Sequence, residues 1–294
     1  MDSSPLLQYL VIGLVQGAIY ALVASGFNLV YSATGVINFA QGEFVMLGGL
    51  LAVTFYTVLH LPLAVAVVLP MGVVMAVGAA MHWFTIRPLR KAHMVTLIMV
   101  TIGVSVVLRG AARLLWGADA YPLPPFTAGD SLSFGGATIE RQSLWIAGVT
   151  ALAGGALAVF FRRTLMGRAM VACSLNPRAA RLAGIRVDLM NMWAFAFAGG
   201  LGALAGAVLA PSTFTSFDIG TSLALKGFCA AVLGGIGNNG GAVLGGLALG
   251  LLEALGAGYV SSGYKDAFAL IVLLLVLFLR PAGLLGVGLR RDER

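Results

Sequence analysis

The sequence predicts an all-α, polytopic membrane protein with about eight or nine transmembrane helices, some of them discontinuous. First, 60% of the residues are hydrophobic and only 10% are charged, whereas a soluble globular domain is nearer half apolar. Second, the apolar residues fall into runs of about 20, the length that a helix needs to cross ~30 Å of hydrocarbon. Third, the sequence lacks the alternating ten-residue segments of a transmembrane β-barrel.

Nine apolar runs are the predicted helices. In chain order they cover residues 6–31, 44–59, 61–86, 94–116, 143–161, 191–210, 219–236, 241–260 and 267–279. We expect the first run to be a permanent span, because residues 1–5 contain Asp2 and no base, unlike the basic start of a cleavable signal. The glycine- and asparagine-rich insert 237–241 is either a tight turn between two spans or an unwound kink within a discontinuous pair.

Basic residues predict the orientation. They form three clusters: Arg87, Arg90 and Lys91; Arg162, Arg163, Arg168, Arg178, Arg181 and Arg186; and Arg280, Arg290, Arg291 and Arg294. Cytoplasmic segments carry an excess of lysine and arginine. An even number of runs separates consecutive clusters, so all three can be cytoplasmic, with the N-terminus outside, the C-terminus inside and the loop 117–142 outside. The net charge of +7 therefore indicates membrane orientation and no nucleic-acid partner.

Glycines at four-residue spacing predict close helix packing. The pairs are Gly13/Gly17, Gly202/Gly206, Gly241/Gly245 and Gly246/Gly250. Small residues at this spacing let helix backbones approach in lipid. We expect the pairs to pack within this chain, with a subunit interface as the less favoured alternative.

Enzymatic and metal-binding signals are poor. The histidines His60, His82 and His93 show no ligand spacing, and no metal site or catalytic residue is predicted. The phosphate-binding pattern GxxxxGKS/T does not occur, because none of Lys91, Lys226 and Lys265 follows a glycine. We therefore predict that the chain is not an enzyme and binds no cofactor. Cys173 and Cys229 are expected to be free thiols.

Polar residues between the first two runs are the main candidate for function. Asn38, Gln41 and Glu43 would each cost several kcal/mol in hydrocarbon unless paired or facing a wet cavity. Asn38 and Gln41 share a face if the segment is helical, and all three can converge if it is unwound around Gly35 and Gly42. We predict that the segment borders a translocation path, with the two carboxamides as neutral hydrogen-bonding groups and Glu43 as a structural or gating group.

Other polar groups in the runs have simpler expected roles. Lys226 and Asp218 are expected to pair or to reach the membrane surface. Arg109 and Arg113 lie one helical turn apart and are expected to extend together to the outer membrane surface. Glu253 suits an interhelical hydrogen bond or a place in a path equally well. Asn238 and Asn239 are expected to satisfy backbone groups at a helix break; these predictions follow from residue type and position alone.

The basic segment 162–191 is about 30 residues long, far more than a link between two spans needs. A first short helix is predicted at 165–173. A second is predicted at 177–182, capped by Asn176, opened by Pro177 and ended by Gly184. The segment is either a solvated loop or a docking element, and its apolar residues favour docking: Ala179, Ala180, Leu182 and Ile185.

Three blocks of sequence resemble the LivH-type permeases of branched-chain amino acid ABC importers. They are GLVQGAIYALVASGFNLVYSATGVINFAQGEFVMLGG at 13–49, the loop at 167–185 that begins GRA and contains NPRAARLAGI, and AAVLGGIGNNGGAVLGG at 230–246. Permeases for urea and short amides are similar, and sugar permeases are more distant. Ser174 departs from the carboxylate or carboxamide that the family pattern suggests before the asparagine.

The resemblance implies that residues 1–294 form one permease domain, half of a translocation path, in the bacterial inner membrane. It implies an ATPase-coupling loop at 162–191 whose residues are Gly167, Arg168, Asn176, Pro177, Ala180, Leu182, Gly184 and Ile185. The implied partners are a homologous LivM-like permease, two ATPase subunits that carry ATP and Mg²⁺, an external solute-binding protein and membrane lipid. An ion-coupled transporter using Glu43 or Glu253 is the alternative mechanism. The solute, and whether the two permease subunits are identical, stay open.

Overall fold

The computed structural model describes residues 3–89, 92–134, 136–280 and 282–286. Five members of the predicted basic clusters lie outside the described residues: Arg90, Lys91, Arg290, Arg291 and Arg294. The start of the predicted extracellular tail, Met1 and Asp2, lies outside them as well.

The described residues form eleven α-helices and one small hairpin. The elements are α1 (Ser3–Thr34), α2 (Gln41–Thr57), α3 (Leu63–Met81) with a π-helical extension (His82–Ile86), α4 (Met94–Trp116), β1 (Leu132–Phe134), β2 (Ala137–Ile139), α5 (Arg141–Arg163), α6 (Leu165–Leu175), α7 (Pro177–Leu182), α8 (Val187–Leu209), α9 (Ile219–Gly234), α10 (Asn239–Tyr259) and α11 (Lys265–Leu279), the last preceded by a 3₁₀ turn (Ser262–Tyr264). The two strands pair antiparallel.

Each of the nine predicted runs is a helix, and the prediction of a polytopic helical membrane protein is confirmed. Seven helices of the described chain are long and apolar enough to cross a membrane. The other two runs became shorter helices, α2 with 17 residues and α9 with 16. Nothing in the fold tests the predicted orientation of the termini, which stays a prediction.

Close backbone contacts pack α1 against α10 and α8 against α2. A methyl group placed on Gly17 would lie 2.8 Å from the Cα atom of Leu247, and one on Gly250 would collide with the backbone of Gly17. On the other side of the bundle, Gly206 of α8 lies directly against the carbonyl oxygen of Val45 in α2. All four predicted glycine pairs make such contacts within the chain, so the prediction of internal packing is confirmed.

The insert after α9 is a tight turn between two antiparallel helices. Gly234 of α9 lies against Gly241 of α10. The side chain of Asn238 accepts a hydrogen bond from the Gly241 amide at 3.0 Å and so caps α10. Asn28 of α1 donates to the Asn238 carbonyl oxygen at 2.9 Å and accepts from the Gly237 amide at 3.2 Å. The prediction that Asn238 satisfies backbone groups at a break is confirmed, and the turn is the correct one of the two alternatives.

Candidate functional site

The polar segment after α1 turns the chain inside the bundle. Gly35 has a φ of +69° and ends α1, and α2 begins at Gln41. The Asn38 side-chain oxygen accepts from the Ala40 amide at 3.0 Å, and the Gln41 side chain donates to the Ala198 carbonyl oxygen of α8 at 3.0 Å. Both carboxamides are fully buried. They hold backbone groups together, and their predicted contact with a translocation path stays a prediction.

Glu43, in the first turn of α2, reaches across to α4. Its Oε1 atom accepts a hydrogen bond from the Ser105 hydroxyl at 2.8 Å and lies 3.6 Å from Nε of Arg109. The Glu43 side chain is 2% exposed and that of Arg109 is 32% exposed. Arg109 therefore pairs inside the bundle instead of extending to the membrane surface as predicted. Arg113 points elsewhere, with its guanidinium 5.3 Å from the centroid of the Phe217 ring.

A cleft of about 780 Å³ opens beside this pair. Its walls come from α2, α4, the segment before α9 and the first turns of α9, and its lining residues are Phe39, Glu43, Ile102, Ser105, Arg109, Phe214, Ser216, Asp218, Ile219, Thr221, Ser222, Ala224 and Leu225. Glu43 is the member of the predicted path segment that lines this cleft together with Phe39. Ser105 and Arg109 were missed, although their spacing of four residues puts them on one face of the predicted run 94–116.

Two glycines bring the start of α9 close to Glu43. A methyl group on Gly220 would lie 2.6 Å from the Gly42 carbonyl oxygen and 2.8 Å from Oε2 of Glu43. Any side chain at Gly220 would therefore displace either α9 or the carboxylate. Helices α2 and α9 thus begin side by side at the cleft, which puts the N-terminal backbone groups of both helices and the Glu43 carboxylate in one place.

A second ionic cluster, buried at Glu253 and exposed at Asp266, joins α9, α10 and α11. Nζ of Lys226 lies 2.7 Å from Glu253 and 2.8 Å from Asp266, and Nζ of Lys265 lies 3.8 Å from Glu253. Glu253 is fully buried. The predicted pairing of Lys226 with Asp218 is wrong: Lys226 pairs with Glu253 and Asp266, and Asp218 accepts a hydrogen bond from the Ser216 hydroxyl at 2.5 Å.

The segment 162–191 contains the two predicted short helices. The Asn176 side-chain oxygen accepts from the amides of Arg178 and Ala179 at 3.1 and 3.0 Å, and Pro177 is the first residue of α7. Helix α7 ends in a Schellman motif, in which the Ile185 amide donates to Ala180 and the Gly184 amide donates to Arg181, both at 3.0 Å. Gly184 has a φ of +82°, so the predicted cap and stop are both confirmed.

The apolar residues of this segment divide between the inside and the outside. Ala180 is buried with Cys173 and Val187, and Ile185 packs against them. Burial raises the pKa of the Cys173 thiol, and the nearby Arg181 opposes part of that rise. Ala180 therefore faces its own chain, and the half-buried Ile185 packs against the same cluster; the predicted role of both residues in ATPase coupling stays a prediction.

An exposed apolar and basic surface remains on α6 and α7. Leu182 is 91% exposed, and Leu165 and Leu175 are each 80% exposed. The guanidinium-bearing residues around them are also exposed: Arg168, Arg178 and Arg181. Gly167 lies against the end of α5, where a methyl group would be 2.8 Å from the Cα atom of Phe161. We call the exposed residues Leu165, Leu175 and Leu182 with these three arginines the α6–α7 surface.

Comparison with known families agrees with this arrangement. The family described as "Branched-chain amino acid transport system / permease component" matches residues 9–277. The chain belongs to this permease family. It is similar over 95% of its length to the Escherichia coli K12 protein named high-affinity branched-chain amino acid transport system permease protein LivH, with 34% identity and 95% of that protein covered.

Two further transport proteins are similar to this permease. The Pseudomonas aeruginosa permease protein BraD is 35% identical over 95% of both chains. The ribose import permease protein RbsC of Escherichia coli K12 is 29% identical over 89% of this chain and 82% of its own. The permease is thus a multi-pass membrane transport component. Within the residues that the structure describes, no three His, Cys, Asp or Glu side chains are grouped to hold a metal ion.

Proposed function

We propose that this permease is the membrane subunit of an ATP-driven, binding-protein-dependent importer for branched-chain or related amino acids in a bacterial inner membrane. The observation that carries the proposal is the 34% identity to LivH over 95% of both chains. The whole chain acts as one permease domain. Its partners are a homologous second permease, two cytoplasmic ATPases that bind ATP and Mg²⁺, and an external solute-binding protein.

The cleft beside Glu43 is the proposed half of the translocation path. Asp218 and Ser222 are exposed on its α9 side, and such groups do not face lipid unless they are covered by protein or water. A second permease subunit against this face would enclose the cleft. The polar lining then faces a shared aqueous path, and the outer apolar faces of the two subunits face lipid.

The α6–α7 surface is the proposed contact with the ATPase. Its leucines are too exposed to contribute to this chain's own core, and its arginines suit an acidic rim around an apolar groove. The close contact of Gly167 with α5 and of Ala180 with the start of α8 joins the surface to two long helices. Closure of the ATPases would therefore move α5 and α8 and drive alternating access.

Leu182→Asp tests this contact directly. The side chain is exposed, so the fold of the loop should survive, while a charge placed in an apolar groove should abolish co-purification with the ATPases. The neighbouring exposed residue Ala183 offers the control Ala183→Ser. Normal ATPase retention and uptake in Leu182→Asp would refute the docking surface.

Reconstitution tests the function as a whole. The permease is co-expressed with the subunits encoded beside its gene, and uptake into proteoliposomes is measured with the solute-binding protein present. We expect uptake of leucine, isoleucine or valine that requires ATP and resists a protonophore. Uptake of urea or a short amide alone would replace the solute class, and protonophore-sensitive uptake without ATP would favour the ion-coupled alternative.

A further inference from the structure

We propose that the cleft beside Glu43 and Arg109 is a binding site for a zwitterionic solute, in which Arg109 binds the solute's carboxylate and Glu43 binds its ammonium group. This inference rests on the proposed function and adds to it the two residues that recognise the charged ends. Of the three predicted path residues, Glu43 lines this cleft, whereas the Asn38 side-chain oxygen and the Gln41 side-chain nitrogen bind backbone groups.

The two charged groups each have an unused hydrogen-bonding atom. Oε2 of Glu43 and Nε of Arg109 are buried and have no hydrogen-bond partner. The Glu43 side chain is only 2% exposed and lines the cleft. A buried carboxylate oxygen without a partner is costly to leave unsatisfied. An ammonium donor entering the cleft would satisfy it.

The geometry separates the two ends of the solute. Oε2 of Glu43 lies on the side of Gly220, at the start of α9. Arg109 approaches from α4 and contacts the other oxygen, Oε1, at 3.6 Å. A guanidinium binds a carboxylate through two parallel N–H donors. An α-amino acid whose ammonium lies toward α9 and whose carboxylate lies toward α4 therefore meets the complementary charge at both ends.

The remaining walls suit an apolar side chain. Phe39, Ile102, Ile219 and Leu225 line the same cleft. Its volume of about 780 Å³ also leaves room for water, as a site that must release its solute requires. The buried Glu43 and the neighbouring Arg109 thus lie beside an apolar wall, and the exposed Asp218 also lines the cleft. The pair matches the two charged ends of a branched-chain amino acid, and the wall matches its apolar side chain.

Exchange of partners lets the site bind without holding its solute too tightly. In the empty cleft Glu43 and Arg109 face each other, so neither charge is buried alone. When the zwitterion binds, the Glu43–Arg109 contact is replaced by two contacts, one between Glu43 and the ammonium group and one between Arg109 and the carboxylate. The net charge in the cleft stays unchanged, so the cost of desolvating a charge is offset in both states.

Cysteine protection tests the site in the complete complex. The reporter is Ser222→Cys, because Ser222 is exposed in the cleft wall, whereas the native Cys173 and Cys229 are each 1% exposed. We expect leucine at about ten times its Kd to slow labelling by an impermeant maleimide roughly tenfold. Neither 3-methylbutylamine, which lacks the carboxylate, nor 4-methylpentanoate, which lacks the ammonium, should protect at that concentration. A reporter at Ser262, which is exposed outside the cleft lining, should be unaffected by leucine.

Charge variants assign the two ends. Arg109→Gln should weaken protection by leucine about 100-fold, the effect of removing one partner of a buried charge contact, and Glu43→Gln should act similarly. Arg113→Gln is the matched control, since it removes the same charge one helical turn away and outside the cleft lining. Each variant is checked for co-purification with its partner subunits.

Two outcomes would overturn the inference. One is the absence of protection by leucine in a complex that shows ATP-dependent leucine uptake, and the other is wild-type uptake by Arg109→Gln or Glu43→Gln. Both leave the proposed function standing. The absence of any ATP-dependent amino acid uptake by the wild-type complex would instead refute the proposed function.

Discussion

Removal of one partner of the buried Lys226–Glu253 pair should destabilise the protein strongly. Lys226→Met keeps most of the apolar stem and removes the ammonium group. Glu253, which is fully buried, then loses its 2.7 Å contact. Breaking a buried ion pair in this way costs about 3–5 kcal/mol, because an uncompensated charge remains.

The surrounding charges place the effect near the lower end of that range. Lys265 lies 3.8 Å from Glu253 and is available as a weaker replacement. The second contact of Lys226 is with Asp266, which is 79% exposed, and an exposed pair contributes about 0–1 kcal/mol. We therefore expect a loss of about 3 kcal/mol. The shift is about 2–4 °C per kcal/mol for chains of 150–250 residues and decreases with length, so in this chain of 294 residues the Tm should fall by about 6 °C.

Thermal unfolding of the purified chain in detergent measures this shift. The control Lys265→Met, which removes a more exposed and more distant ammonium, should lower the Tm only slightly. The double variant Lys226→Met/Glu253→Leu should recover most of the loss, since it removes both charges at once. A Tm for Lys226→Met equal to that of the wild type, or a double variant as unstable as the single one, would refute the reasoning.

Three further predictions concern the loops and the polar segment. Gly184→Val should lose ATPase co-purification while still inserting in the membrane, because Gly184 has a φ of +82° that a β-branched residue adopts only at a cost of about 1–3 kcal/mol. The control Gly184→Asn should be tolerated. Full coupling in the valine variant would contradict the role of the Schellman motif. Cysteines at Asp130 and Arg178 should react with an impermeant reagent from outside and from inside respectively, as the charge asymmetry predicts; labelling of position 178 from outside intact cells would overturn the orientation. The double variant Asn38→Leu/Gln41→Leu should reduce uptake because both side chains hold backbone groups, and normal uptake at normal expression would show that neither a path nor a structural role depends on them.

In the segment 162–191, the first and last residues of α7 could be predicted from local sequence. Asn176, Pro177 and Gly184 act on their own backbone neighbours, so the cap, the first residue and the stop of α7 were all readable from sequence. The sequence did not indicate which face of α7 is buried against the rest of the chain. Ala180 is buried against Cys173 and Val187, because the turn at Gly184 folds the chain back onto α8, and a six-residue helix is too short for its apolar pattern to specify a face.

The contacts of Glu43 in the cleft could not be predicted from the sequence. The segment 35–43 was predicted to border a path, but the partners of Glu43 lie far along the chain, with Ser105 separated from Glu43 by 62 residues. Helix α3 is apolar on all sides, and the polar side chains of α2 lie only in its first and last turns, so periodicity does not indicate which face meets which neighbour. Arg109 was therefore expected at the membrane surface although it pairs with Glu43.

The sequence by itself determined that this chain is a helical membrane protein of the branched-chain amino acid permease family, and where its nine apolar helices and its two short loop helices lie. Those features depend on run length, on total apolarity and on residues that act within a few positions of one another. Only the tertiary structure decided that Glu43 faces Ser105 and Arg109 across a cleft, that Lys226 joins Glu253 to Asp266, and that the insert after α9 is a turn. These contacts depend on the depth and rotation of each helix in the bundle, which close packing between small residues sets and which no single apolar segment encodes.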